Sequence, residues 1–320
     1  MAAHRVGIIG LGTVGTRFVD QFTAHPDFTV AATWDASAEA RARTAEVAPV
    51  VDDPEAVITA SDLVYIAVPP AAHAEYVRAT LAAGRAVFCE KPLGIDVAES
   101  RAIVAEVEAS GVPAAVNFVF GSAPAAVELV RLATAGDLGD LRQVELDLHF
   151  SQWPRAWQAA ATWLAGRDEG GWIREVASHF VFLAGRTVGV PSLGTAIVQR
   201  PAPESAEDLT LAHLRLGSGD VPMAIAGSSG GAGPDVIEFR VRGTSAAARI
   251  VDWYRLEITG GDGWSPVALP DQPTPALAAY RAQVDGLAAL LDGRPHTLPT
   301  FGEALAVQEA IEAILAETSS

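Results

Sequence analysis

The chain opens on "RVGIIGLGTVG", an apolar run that stops at Gly10 and is followed by Gly12 and Gly15. No other feature constrains the fold as much. A buried strand has to turn sharply at Gly10 and expose its backbone at Gly12. It then starts a helix near Val14, whose Gly15 packs tightly on the strand. The next apolar run, "TVAATWD", ends in Asp35, twenty residues beyond Gly15. A chain with 29 glycines produces such a spacing by chance, so the context carries the weight: strand, turn, helix and a second strand ending in an acid. That arrangement suits a dinucleotide. Amides at the helix start face the pyrophosphate, and Asp35 accepts hydrogen bonds from the adenosine ribose. Its charge repels a 2′-phosphate, which favours NAD and leaves NADP possible, with Arg41 or Arg43 as the residues that could reverse the preference.

The pattern continues through "LVYIAVPP" and "AVFCEKP", fully buried strands in type. Helical spacing separates them over Val14–His25, Ala36–Ala48 and Ala71–Ala83. Buried strands alternating with helices predict a parallel sheet covered on both faces. "RAIVAEVEASGVPAAVNFVF" adds a helix and a strand. Beyond about residue 120 an amphipathic helix, "PAAVELVRLATAGDLG", leads to "LRQVELDLHF", a tryptophan-rich stretch and a helix around Arg174–Ala184. Strand-like runs punctuated by Gly and Pro then follow without intervening helices, which predicts an antiparallel sheet. The tail, Pro275–Glu317, is helical in spacing. The expected organisation is an α/β Rossmann domain over 1–120 and an α+β domain with an open, mainly antiparallel sheet over 121–320, for substrate binding and oligomerisation.

Lys plus Arg is 22 and Asp plus Glu 39, a net charge of −17. Such a field repels phosphate backbones and anionic lipid, so neither nucleic acid nor a membrane is an expected partner, and no apolar run reaches the ~18 residues of a spanning helix. The one cysteine, Cys89, excludes an intrachain disulfide and suits a reducing, cytoplasmic setting. Its position beside a charged pair allows a catalytic thiol; a small buried strand residue is the plainer reading. The scattered histidines suggest no metal site.

"AVFCEKPLG" sends Glu90 and Lys91 out of the end of a buried strand. Dinucleotide folds bind ligands beyond the carboxyl ends of their strands, so the Lys91 ammonium is placed to reach nicotinamide and substrate. "GGWIREVASHFVFLAG" supplies a second group. Glu175 and His179 are four apart and share a helical face, the carboxylate able to bias the imidazole. Histidine can take or return a hydroxyl proton near neutral pH, and a lysine on the same oxygen stabilises developing charge. A Glu-His pair at this spacing is often a solvated face, but Phe180, Val181 and Phe182 argue for a buried setting.

"GIIGLGTVG", "DLVYIAVPPAAHAEYV", "EKPLG", "LATAGDLGDLRQVEL", "GGWIREVASHF" and "FGEALAVQEAIEAILAET" together resemble the Gfo/Idh/MocA oxidoreductase family over nearly the whole chain. The resemblance implies a Rossmann domain followed by an open-sheet domain, catalysis by Lys91 and His179 with Glu175 beside them, and homodimers or homotetramers. It implies contacts to NAD(P) from Gly10, Gly12, Thr13, Val14, Gly15, Asp35, Val68, Pro69, Pro70, His73, Glu90 and Lys91. Substrate contacts are expected for Lys91, Asn117, Trp153, Trp157, Glu175 and His179, and for Arg174, which could bind a substrate carboxylate, neutralise Glu175 or lie at the surface. Glu175 stands where the family has Asp, one methylene shorter. The expected activity is hydride transfer between nicotinamide and a sugar, cyclitol or related hydroxy or keto compound. The apolar "VNFVFGSAP" and Trp153, Trp157, Trp163 and Trp172 leave open an apolar ketone or imine as the substrate to be reduced. A non-catalytic dinucleotide-binding sensor on the same fold is the alternative of another class.

Overall fold

The computed structural model describes residues 3–158, 161–270 and 274–317, and divides the chain into two compact units. The first holds Met1–Ser122 and Leu277–Leu305; the second holds Ala123–Ala276 and Ala306–Ser320.

In the first unit the chain runs β1 (His4–Ile9), α1 (Thr13–Thr23), β2 (Phe28–Trp34), α2 (Ala38–Thr44), α3 (Pro54–Ala60) and β3 (Leu63–Ile66). It continues through α4 (His73–Ala82), β4 (Ala86–Glu90), α5 (Val97–Ser110) and β5 (Ala114–Asn117). All four strand pairings are parallel and the strand order is β2-β1-β3-β4-β5. The order therefore reverses between β1 and β3, where such sheets leave a crevice at the carboxyl ends of their strands. Capping explains most of the helix starts. Ser37, Asp53 and Asp96 accept from the backbone N–H three residues on, at 3.3, 2.7 and 2.7 Å, opening α2, α3 and α5. Helix α3 was not expected. Its signal is the Asp53 cap with Pro54 in the first turn.

The second unit runs α6 (Pro124–Thr134), β6 (Leu141–Phe150), α7 (Ser178–Thr187), β7 (Pro191–Gln199), β8 (Leu209–Leu216) and β9 (Val221–Ser229). Then come β10 (Val236–Gly243), β11 (Ala247–Val251), β12 (Arg255–Thr259) and β13 (Ser265–Pro266). Its sheet has the order β13-β12-β11-β10-β6-β9-β8-β7. The sheet is antiparallel as expected except at β6–β9, a parallel pair where two meanders meet on either side of β6. Period-two patterning is clear in β8: Thr210, Ala212, Leu214 and Leu216 are buried, while Leu211 and Arg215 face out. Helices α6 and α7 pack on each other, α6 against β11 and β12 and α7 against β7.

The compact units follow the expected boundary near residue 120 but not the tail of the chain. Part of α8 (Pro275–Leu291) returns to the first unit, and α9 (Phe301–Ala316) begins there. Val284, Leu287 and Ala288 of α8, with Leu298 beyond it, belong to the core built on Phe18, Phe22, Tyr65 and Phe88. Tyr280 meets Phe18 edge-on at 5.6 Å and takes a hydrogen bond from Arg17 Nη1. The apolar face of the sheet needs a cover there, and α8 supplies it. Leu287→Ala should therefore destabilise the protein by about 2–5 kcal/mol, the range for a fully buried leucine. Urea unfolding measures this, and a loss below ~0.5 kcal/mol would mean that α8 does not seal the sheet.

Candidate functional site

The turn after β1 shows what each glycine does. Gly10 has φ +102°, and a Cβ there would lie 2.4 Å from the Ala67 carbonyl oxygen. A Cβ on Gly15 would lie 2.0 Å from the Gly10 carbonyl oxygen. Gly12 differs, since nothing lies within 4 Å of the Cβ it lacks. Unlike α2, α3 and α5, helix α1 starts without a side-chain cap and with no acid in its first turn, and Gly12 and Thr13 are exposed. Its first amides keep their donors available. Asp35, at the end of β2, is held by two backbone amides: Leu11 N–H donates to Oδ2 at 2.6 Å and Ser37 N–H to Oδ1 at 2.7 Å. An open, uncapped helix start beside an anchored carboxylate fits a dinucleotide, phosphates at the amides and ribose at Asp35. Arg41 Nη1 donates to the Asp35 and Ala36 carbonyls, which ties it to the same strand end.

Val14 is half-buried at the helix start. Across the crevice, Val68 is half-buried, Pro69 exposed and Pro70 buried, following β3. His73 is fully buried, with Nε2 2.9 Å from the Val68 carbonyl oxygen and Nδ1 2.8 Å from that of Pro92. Burial pushes its pKa down, against the pull of those carbonyls. His73, expected as a cofactor contact, lies between two backbone carbonyls, and as a neutral imidazole it donates its single N–H to one of them.

Glu90 ends β4, with Lys91 half-buried immediately after it. Tyr65 O–H and Asn117 Nδ2 both donate to Glu90 Oε1, the latter at 2.6 Å, and Gln283 Nε2 donates to Asn117 Oδ1. Asn117 was expected at the substrate. Only 6% exposed, it is instead a link in this buried network and positions Glu90. Cys89 is buried, and burial followed by the Glu90 charge pushes its thiol well above the usual range, so it is the inert strand residue of the plainer reading.

In the second unit the residues preceding α7 form a π turn, Ile173–Ala177, so Glu175 and His179 do not sit on a plain α-helix. Such turns widen the register and recur at functional sites. His179 is 8% exposed, its ring 5.6 Å from that of Trp253 and nearly perpendicular to it. Trp253 lies in a tight turn at φ +72°, a strained setting for a bulky residue that carried no sequence signal. Gln158 Nε2 donates to Glu175 Oε1 at 3.1 Å, another contact that sequence reading missed. Arg174, expected at the substrate, is committed elsewhere. It makes a two-pronged pair with Glu312 at 2.6 and 2.8 Å and donates to the Arg167 and Gly170 carbonyls. Trp153 is half-buried and donates to the Leu164 carbonyl at 3.0 Å, while Trp157 is 56% exposed. Trp172 is core, fully buried. Among the described residues no group of three His, Cys, Asp or Glu side chains could hold a metal.

Glu207 carried no sequence signal either. Only 2% exposed, it accepts from Ile173 N–H at 2.7 Å and thereby caps the turn that carries Glu175. Burial pushes its pKa up from 4.5 to about 7, against the Ile173 hydrogen bond and the Arg174 and Arg200 charges. Between those values the folded protein holds a proton that the unfolded chain has released. Stability from this group is therefore fully present below pH 4.5 and lost as pH rises through about 7, a change on the order of 3 kcal/mol. Glu207→Gln keeps the acceptor and should flatten this slope, so urea unfolding at pH 5 and pH 8 should favour the variant more at pH 8. Parallel profiles for the two proteins would contradict the assignment.

Residues 4–118 match the oxidoreductase family with an NAD-binding Rossmann fold, and residues 131–320 match the C-terminal alpha/beta domain of that family. Among curated proteins, the chain is 39% identical over 114 residues to an inositol 2-dehydrogenase of Cereibacter sphaeroides, covering 33% of this chain and 34% of that enzyme. It is 37% identical over 97 residues to the trans-1,2-dihydrobenzene-1,2-diol dehydrogenase of Mus musculus, covering 30% and 29%. These alignments span about a third of each relative. A solved 3-ketoreductase from Actinomadura kijaniata, in complex with NADP and TDP-benzene, has the same fold at TM-score 0.81 and 20% identity, covering 99% of this chain and 98% of that one. With both domains matched, the chain belongs to the Gfo/Idh/MocA family of NAD-binding oxidoreductases.

Proposed function

We propose that this enzyme transfers hydride between a nicotinamide dinucleotide and a carbon bearing hydroxyl or keto oxygen, on a sugar, cyclitol or related compound. The observation that carries the reading is the first unit's crevice. An open, uncapped helix start and an anchored Asp35 lie at the strand-order reversal, and Lys91 leaves the carboxyl end of β4 in the same sheet. The bound cofactor supplies or accepts the hydride. In the oxidative direction His179 takes the hydroxyl proton and returns it in the reverse, Lys91 hydrogen-bonds the same oxygen, and Glu175, held by Gln158, orients the imidazole or the substrate. The anchored Asp35 carboxylate favours NAD over NADP. Lys91→Ala should leave NADH affinity within about threefold while kcat falls by roughly 10²-fold or more. Fluorescence titration with NADH and NADPH, beside steady-state rates on sugars and cyclitols, reads both. Unchanged turnover removes the role of Lys91, and dinucleotide binding without turnover on any substrate favours the sensor.

The outer face of the second sheet supports self-association. Ile197, Leu211 and Ala226 lie opposite one another on three neighbouring strands, with Ile197 48% and Leu211 49% exposed. An apolar row on an open sheet face suits a second copy of the chain in a homodimer or homotetramer. Light scattering should give a multiple of 33.3 kDa for the wild type and a smaller species for Leu211→Lys. A monomeric wild type contradicts the assembly.

A further inference from the structure

Arg155 follows β6, just before a short 3₁₀ turn, Ala156–Gln158. Its guanidinium carbon lies 4.8 Å from the ring centre of Trp157, 5.6 Å from that of Phe150 and 5.7 Å from that of Trp153. Nε donates to Gln158 Oε1 at 2.9 Å, and Gln158 donates onward to Glu175. Among the described residues the two terminal nitrogens have no hydrogen-bond partner, and no carboxylate lies within 4.0 Å of the guanidinium. Glu175 and Asp235 act on it only through space, and Asp235 Oδ1 is taken up by Ser151 N–H and O–H. Three other sheltered arginines of this unit are paired, Arg174 with Glu312, Arg240 with Glu145 and Arg249 with Glu257, while Arg200 donates to the Leu315 carbonyl.

A half-buried cation with one side-chain hydrogen bond is costly to keep. Aromatic faces offset part of that cost, and they leave the planar pair of terminal nitrogens open to an incoming partner. That pair matches the two oxygens of a carboxylate or phosphate. In a chain of net charge −17, whose overall field repels anions, recognition of an anion depends on a local fixed cation. We propose that Arg155 is the anion-recognition group of the substrate site, taking the carboxylate or phosphate oxygens of an acidic sugar and, through Gln158, coupling that contact to Glu175. This rests on reading Glu175 as a substrate-side residue. It makes the tryptophan wall a support for a cation, where sequence alone suggested an apolar ketone.

Isothermal titration of the NADH-bound enzyme with D-glucuronate, D-glucose 6-phosphate and D-glucose tests the assignment. At least one acid should bind about tenfold or more tightly than glucose, as a charge-assisted two-pronged contact implies. Preference for glucuronate alone assigns a carboxylate; preference for the phosphate alone assigns that group. Arg155→Gln should abolish the preference, lowering acid affinity to about that of glucose, and leave NADH affinity unchanged. Acid binding no tighter than glucose by the wild type, or none at all, overturns the proposal without any variant. It is also overturned if Arg155→Gln keeps the preference or weakens all three sugars equally, which is what an aromatic brace alone would do. Rates recorded in parallel separate the two readings. Turnover of neutral sugars without acid preference sinks only the anion site, and Arg155-dependent acid binding without turnover sinks only hydride transfer.

Discussion

The first unit depends on a backbone-to-backbone approach that only glycine permits. The turn at Gly10 lies against the Ala67 carbonyl, and Gly15 lies against the carbonyl of Gly10, at separations that any Cβ would violate. These contacts draw the end of β1, the start of α1 and the end of β3 to one place, where the strand order reverses. The same crowding pushes Gly12 outward into open space. Asp35 then ties the turn to the end of β2 through the Leu11 amide. Shape and electrostatics arise together here, because packing the helix so close leaves its first amides facing outward without a cap.

The second unit resolves a helix start in the opposite way. The turn before α7 has its amide capped by a protein carboxylate, Glu207, and Gly171 leaves no room beside it, since a Cβ would lie 2.3 Å from Glu207 Oε2. Trp172 locks the same segment by donating to the Glu207 carbonyl and packing where Gly227 has no side chain. A helix start closed by an internal side chain holds the next residues of the chain in place. Here those are the π turn with Glu175 and the buried His179. One helix start is left open, and the other is filled by a protein side chain.

How much was legible in the sequence depends on the range of the interactions. The glycine spacing, Asp35, the strand-end Lys91 and the burial of His179 are local consequences of turn geometry and periodicity, and short windows carry them. The fates of Asn117 and Arg174 are not local. Asn117 meets Gln283, 166 residues away, and Arg174 meets Glu312, 138 residues away. Both are polar residues near expected functional positions, and nothing in their own windows shows that a distant helix satisfies them. Glu207 and Arg155 were invisible for the converse reason. Residue type and spacing are unremarkable at both, and only tertiary burial separates them from solvated charges. Helix α8 reads as one more amphipathic helix, while its destination is set by the uncovered face around Phe18 and Phe88.

The adjacency of Glu90 and Lys91 has a physical meaning of its own. Glu90 is anchored by Tyr65 and Asn117, a network held in turn by Gln283 of α8. One residue beyond Lys91, the Pro92 carbonyl lies against His73, which also lies against the Val68 carbonyl across the crevice. The lysine backbone is therefore pinned on both sides by groups that belong to the core. A long side chain gives up on the order of 2 kcal/mol of rotamer freedom when it is ordered, and a mobile backbone beneath it would add to that loss. Rigid anchors on either side remove the second part before any substrate arrives, which is the condition for an ammonium group to act at a defined point. The partial burial of a carboxylate beside a phenol is the structural cost of that arrangement, at the end of an otherwise apolar strand.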